Sequence, residues 1–261
     1  MYKLLILIYL NYAAAALESR IINGRDALPG EFGYIVSVQK YFNHICGGSI
    51  INEYNVLTAA SCFDDNRKIY FIQYGLVKLT AKNVNVIHVR DTLMHEHFEP
   101  MNSNKHDIAI LKLSSPLTFD SSSVTPISLP TQGEEFKGNT WARISGWGSV
   151  DDMDEALSKH LQTATIYILS MEKCKIPYGW SFHKESQMCA NNKKPETRRG
   201  ASTGDVGSPL VKKMRGRIRL IGLFSWSFNL FGTHDSKIYP DVFTKVSHYF
   251  VSHLLIFQKN Q

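Results

Sequence analysis

Short runs rich in Val, Ile, Tyr and Phe, each bounded by turn residues, recur at 34–39, 69–74, 83–88, 108–113, 141–145, 161–169 and 218–226. Runs of this length read as strands. Their density, with no helical segments between them, predicts an antiparallel barrel or sandwich and not alternating β and α units. Two polar stretches near the middle, 114–123 and 131–139, suit a connection between two halves. Only the end of the chain has the helical period. Val246, Tyr249, Phe250, Leu254 and Phe257 recur at helix spacing, which predicts a helix over 246–257 with one face on the body. There is no internal repeat and no low-complexity tract.

A chain of 261 residues, 44% of them hydrophobic, can hold one large all-β domain or two small ones, with ample core to exclude disorder as its main state. The first residues change the picture of where it works. Met1-Tyr2-Lys3, the apolar run 4–10 and the alanines of 13–16 form the charge, apolar and small-residue pattern of a secretory signal. The run is too short to span a bilayer, which takes about 20 apolar residues. Residues 1–16 are therefore read as a signal peptide and the chain as secreted, with no membrane span. The net charge of +6 falls to +5 once Lys3, Glu18 and Arg20 are removed with residues 1–20. That is basic, but it is not by itself a nucleic-acid binder's charge. Four cysteines in a secreted chain imply two disulfides, and no CxxC or Cys/His cluster points to a metal. The pairing stays open among three connectivities. No cofactor is implied, and no Asn-x-Ser/Thr acceptor is present.

Eight motifs then follow one another along the mature chain. They are Arg20-Ile21-Ile22-Asn23-Gly24, Cys46-Gly47-Gly48-Ser49, Thr58-Ala59-Ala60-Ser61-Cys62, Asp107-Ile108-Ala109-Ile110, Ser145-Gly146-Trp147-Gly148, Gly204-Asp205-Val206-Gly207-Ser208-Pro209, Ser225-Trp226 and Tyr239-Pro240-Asp241-Val242-Phe243-Thr244. In order and spacing they resemble the trypsin/chymotrypsin family of serine proteases. The resemblance implies an all-β fold of two antiparallel six-stranded barrels with a cleft between them and a C-terminal helix. It implies a short propeptide at 17–20, an N-terminal barrel over 21–130, and a C-terminal barrel plus helix over 131–261. It also implies cleavage after Arg20 to free the Ile21 amine, which Asp205 would bind. Two family disulfides match, Cys46 with Cys62 and Cys174 with Cys189. The family bridge that ties the nucleophile loop to the pocket wall is missing at both ends, at Ser202 and Leu230.

The family's chemistry needs a hydroxyl nucleophile, an imidazole to take its proton, and a carboxylate to orient that imidazole. Only the carboxylate, Asp107, is kept. Ser61 stands where the family has its His, and Val206 where it has its Ser, so general base and nucleophile are both replaced. His106 precedes Asp107, but in an extended segment it should point away from the cleft. The other histidines, His95 and His97 among them, read as surface or loop residues. Asp107 itself reads as a buried carboxylate that must keep hydrogen-bond partners, with Ser61 as a donor.

The primary specificity pocket has changed as well. Gly200 stands where trypsins carry Asp, and Ser227 and Asp241 stand where the pattern has Gly. The favoured reading is a pocket filled by larger side chains; the alternative is a carboxylate moved across it. Within the family, Asn52-Glu53-Tyr54, Ile72-Gln73-Tyr74 and His95-Glu96 resemble the mite digestive trypsins known as group 3 allergens. With the broken triad, the chain is similar to the inactivated serine protease paralogues of the scabies mite, which are secreted into the gut and held to interfere with host complement. The resemblance implies a monomeric pseudoprotease that binds host proteins, complement components foremost, and does not cut. Two other readings compete. A residual hydrolase needs a nucleophile that the chain does not offer. A polyanion-binding module would use the basic runs Lys193-Lys194, Arg198-Arg199 and 212–219, in which Lys213, Arg215, Arg217 and Arg219 would share one strand face, with Lys212 beside them, toward anionic glycans.

Overall fold

The computed structural model describes residues 24–64, 69–79, 84–100, 102–120, 122–149, 156–192, 200–228 and 239–249. The strands are β1 (Arg25–Asp26), β2 (Ile35–Lys40), β3 (Asn43–Asn52), β4 (Asn55–Thr58), β5 (Tyr70–Tyr74), β6 (Val86–Met94) and β7 (Ala109–Leu113), then β8 (Thr140–Gly146) and β9 (Gln162–Ile168). After α1 (Met171–Tyr178), the single α-helix among the described residues, come β10 (Gln187–Asn191), β11 (Pro209–Met214), β12 (Arg217–Trp226) and β13 (Asp241–Lys245). All pairings between these strands are antiparallel.

β2-β3-β4-β7-β6-β5 close into one barrel, and β8, β9, β10, β13, β12 and β11 close into a second through the β8–β9 pairing. The two-residue β1 adds to β9, so the N-terminal part of the described chain lies against the second barrel. Period-two alternation explains the faces. Val36 and Val38 of β2 point into the first barrel with Ile50, Val56 and Leu111, while Ile35 points out to join Leu57, Ile110, Trp147, Leu220 and Leu223 between the barrels. Ile144, Ile166, Met188, Leu210 and Phe243 fill the second barrel.

The glycines of β3 would read as a turn, yet they lie within a strand because the space demands it. A Cβ at Gly47 would sit 2.2 Å from the Ser208 Oγ of the other barrel. The two disulfides are Cys46–Cys62 and Cys174–Cys189, the second tying α1 to β10. Val246–His248 form a short 3-10 turn with Val246 and Tyr249 buried. The helix expected over 246–257 lies, beyond Tyr249, outside the described residues, as do the signal segment, Arg20 and Ile21, and Leu230.

Candidate active-site region

Asp107 is the second residue before β7, fully buried where the barrels meet. Its Oδ1 accepts the Ser61 backbone N–H at 2.7 Å, and its Oδ2 accepts the hydroxyls of Ser61 at 2.9 Å and of Ser225 at 2.5 Å. Burial outweighs these donors and pushes the carboxyl up to about 6. Ser61 lies exposed on the 3-10 turn Ala60–Cys62, so its short side chain closes onto Asp107.

Val206 lies half-buried, its methyls packed against the cores of both barrels. Its carbonyl accepts the Gly47 N–H at 2.7 Å. The turn that carries it depends on Gly207, whose φ is +77° and where a Cβ would meet Thr58 Oγ1 at 2.3 Å.

Asp205 beside it is fully buried. Its carboxylate accepts Gly148 N–H at 2.8 Å and Ser202 N–H at 3.0 Å, and burial pushes it up to about 7. Its family partner, the Ile21 amine, lies outside the described residues.

Gly200, read in the sequence as the pocket base, has no side chain, and the buried Asp241 of β13 turns its carboxylate into that space. Asp241 Oδ2 accepts the Ala201 N–H at 2.8 Å and lies 2.3 Å from where a Gly200 Cβ would be. Ser227 follows Trp226, whose ring packs on Tyr178 at 4.8 Å, while Phe228 packs on Tyr239 at 4.6 Å. Residues 229–238 lie outside the described residues.

Three sequence expectations need correction. His106 is not extended: its φ is +59°, which turns the ring onto His95, at 4.7 Å between centroids, and onto the Tyr249 hydroxyl at 3.1 Å. The basic residues of 212–219 do not share one face, because the chain reverses at Arg215-Gly216, both with positive φ. Lys212 stands opposite Arg219 and Met214 opposite Arg217, whereas Lys213 faces the other way with Ile218. Lys212 is drawn onto Trp141, donating to its carbonyl at 3.0 Å, and Arg219 pairs with Glu134 at 3.1 Å. Lys193, Lys194, Arg198 and Arg199 lie outside the described residues.

The third correction is His44, which is not a surface residue. It is half-buried on β3, donating from Nε2 to the Gly204 carbonyl at 2.9 Å and accepting at Nδ1 from Ser37 Oγ at 2.8 Å. Burial drives its imidazole down to about 4. A lone His in a strand carries no motif, so only the alternation of β3 hinted at an inward ring.

Two closed six-stranded antiparallel barrels with a buried carboxylate at their junction define the two-barrel scaffold of the serine proteases. The chain matches the Trypsin family over residues 21–251 and belongs to it. It is 33% identical over 239 residues to Trypsin-1 of Astacus astacus, an alignment covering 88% of this chain and 96% of that relative.

Proposed function

We propose that the chain is a secreted, catalytically inactive member of the trypsin family that acts by binding through its exterior. One observation carries this reading. The Asp107 carboxylate, which would orient an imidazole, is occupied by the N–H and O–H of Ser61 and the hydroxyl of Ser225, and the neighbouring Val206 offers no lone pair. In subtilisin, removing either the serine or the histidine costs about 2 × 10⁶ in turnover. Removing both costs little more, because the groups act as a unit, and the residue of about 10³ to 10⁴ over water serves no biological rate. Asp107 and Asp205 then serve the scaffold.

Secretion is supported by the signal-like residues 1–16 and the two disulfides; among the described residues no helix is long and apolar enough to cross a membrane. The proposal takes 21–130 and 131–261 as the two halves of the mature chain. Through its resemblance to the inactivated mite paralogues, it takes host complement proteins as the partner class.

An active-site-directed fluorophosphonate and a panel of peptide and ester substrates test the first part. Neither label nor turnover is expected, and labelling mapped to a serine of the purified protein overturns inactivity. A complement-dependent lysis assay tests the partner. Inhibition at about micromolar protein is expected, and its absence removes the complement reading while leaving inactivity standing.

A further inference from the structure

Away from the degenerate triad, a cleft of about 460 Å³ opens between the loop before β7 and the segment that follows α1. The loop wall is built by an uncommon backbone. Ser103, Asn104 and His106 all take positive φ, at 50°, 50° and 59°. The Glu99 and Lys105 backbones close the loop at 3.0 Å. Such conformations persist only when the surroundings enforce them. Here the other wall does so: His183 Nε2 donates to the Asn102 carbonyl at 3.2 Å, and Gln187 Nε2 donates to the Ser103 carbonyl at 2.9 Å. That second wall is fixed in turn by the Cys174–Cys189 disulfide. The cleft is therefore preformed, with one wall from each half of the chain.

Its chemistry is cationic and aromatic. Lys105, Lys175 and Lys184 face it against one acid, Glu185, together with the imidazoles of His106, His183 and His248. Lys105 also lies 3.5 Å from Glu99, and Lys184 lies 3.6 Å from Glu185. At its rim stands Trp180, 84% exposed on the turn after α1. An indole in water is an apolar plate with one polar edge, and it covers flat apolar surface at little entropic cost. The cations are the ammonium groups of three lysines, with no guanidinium among the lining residues. Point charges spread along a groove suit anionic groups spaced along a chain, whereas a single carboxylate or phosphate is best held by an arginine fork.

We propose that this cleft binds a sulfated saccharide, with a pyranose face stacked on Trp180 and sulfates on Lys105, Lys175 and His106. The site does not depend on whether the protein hydrolyses anything. His106 makes it sensitive to acidity. His106 faces His95 and His97 from the segment after β6, Glu99 and Lys105 from its own loop, and His248 and Tyr249 from the turn after β13; Lys175, His183, Lys184 and Glu185 complete the opposite wall. Burial first, then Lys105, His248 and His97, hold its imidazole below the ordinary value, with Glu99 opposing. A bound sulfate relieves that repulsion, so binding takes up a proton and tightens as pH falls.

The test uses a size-defined, fully sulfated heparin-derived hexasaccharide as probe, followed by calorimetry and tryptophan fluorescence at about 0.15 M salt. Saturable binding is expected, tighter by about threefold or more at pH near 5.5 than near 7.5. Trp180→Ala should weaken it by about fivefold, and Lys105→Ala with Lys175→Ala by about tenfold. A hairpin variant carrying Lys213→Ala, Arg215→Ala and Arg217→Ala should bind like the parent. Trp180, Lys175, Lys213, Arg215 and Arg217 are exposed and Lys105 is half-buried at the cleft edge, so the variants should fold. The proposal is overturned if the parent does not bind, or if the hairpin variant loses affinity while the cleft variants keep it. It is equally overturned if desulfated hexasaccharide or an oligoglutamate peptide binds as tightly.

Discussion

At the scale of single residues, the site contains ionisable groups whose protonation responds to burial in opposite directions. Asp107, raised to about 6, binds protons in the folded state that the unfolded chain has released above the ordinary value of 3.8. Stability from that group is full below about pH 4 and is lost as pH rises through 6. Asp205, raised to about 7, adds to this fall over a slightly wider window. His44, lowered to about 4, works against them: the unfolded chain takes up its proton first, so its contribution is present above 6.5 and is lost as pH falls toward 4. Denaturant midpoints measured across pH 4 to 7 separate the terms. Asp107→Asn, which keeps an acceptor for Ser61 N–H, should remove a falling component of about 3 kcal/mol. His44→Gln should steepen the fall. Asp107→Ala strands the donors of Ser61 and Ser225 and should cost about 2 to 4 kcal/mol at all these pH values. Unchanged pH profiles in both the Asn and Gln variants would refute the burial account.

At the scale of elements, the question is whether restoring two side chains restores chemistry. On the proposed reading, Ser61→His with Val206→Ser supplies the imidazole and the hydroxyl that these two turns lack. On the same reading the specificity pocket has changed as well: Asp241 of β13 fills the space beside Gly200, and Ser227 stands at a position the resemblance reads as glycine. Misplacement by an ångström costs about a hundredfold. The double variant should therefore stay about a hundredfold or more below an active trypsin on Arg and Lys esters, and trypsin-like rates would show the pocket to be intact. The same elements show what the sequence reveals. β2, β5, β7, β8, β9 and β12 are visible because β-branched and aromatic residues run between turn signals. β3 hides behind its paired glycines, and β11 behind a basic stretch whose reversal at Arg215-Gly216 only the backbone discloses. Ser61 and Val206 stand out because they interrupt motifs. The cationic cleft does not, because Lys105, Lys175, His183 and His248 come from separate stretches that only the fold assembles.

At the scale of the whole molecule, the barrels are held together by close backbone approach as much as by side chains. Gly47 of β3 meets Ser208 before β11 with no room for a methyl. Gly47→Ala should part the barrels locally and cost about 2 kcal/mol, read as a lower midpoint in chemical denaturation with the barrels' far-ultraviolet signal kept. An alanine variant as stable as the parent would show that the junction is looser than its geometry indicates. The contact at Gly200 has a consequence of a different kind. Because the Asp241 carboxylate lies where a side chain at 200 would begin, a substitution there must displace that carboxylate and with it the acceptor of the Ala201 N–H. The two positions are thus energetically tied, so a change at either one is felt at the other.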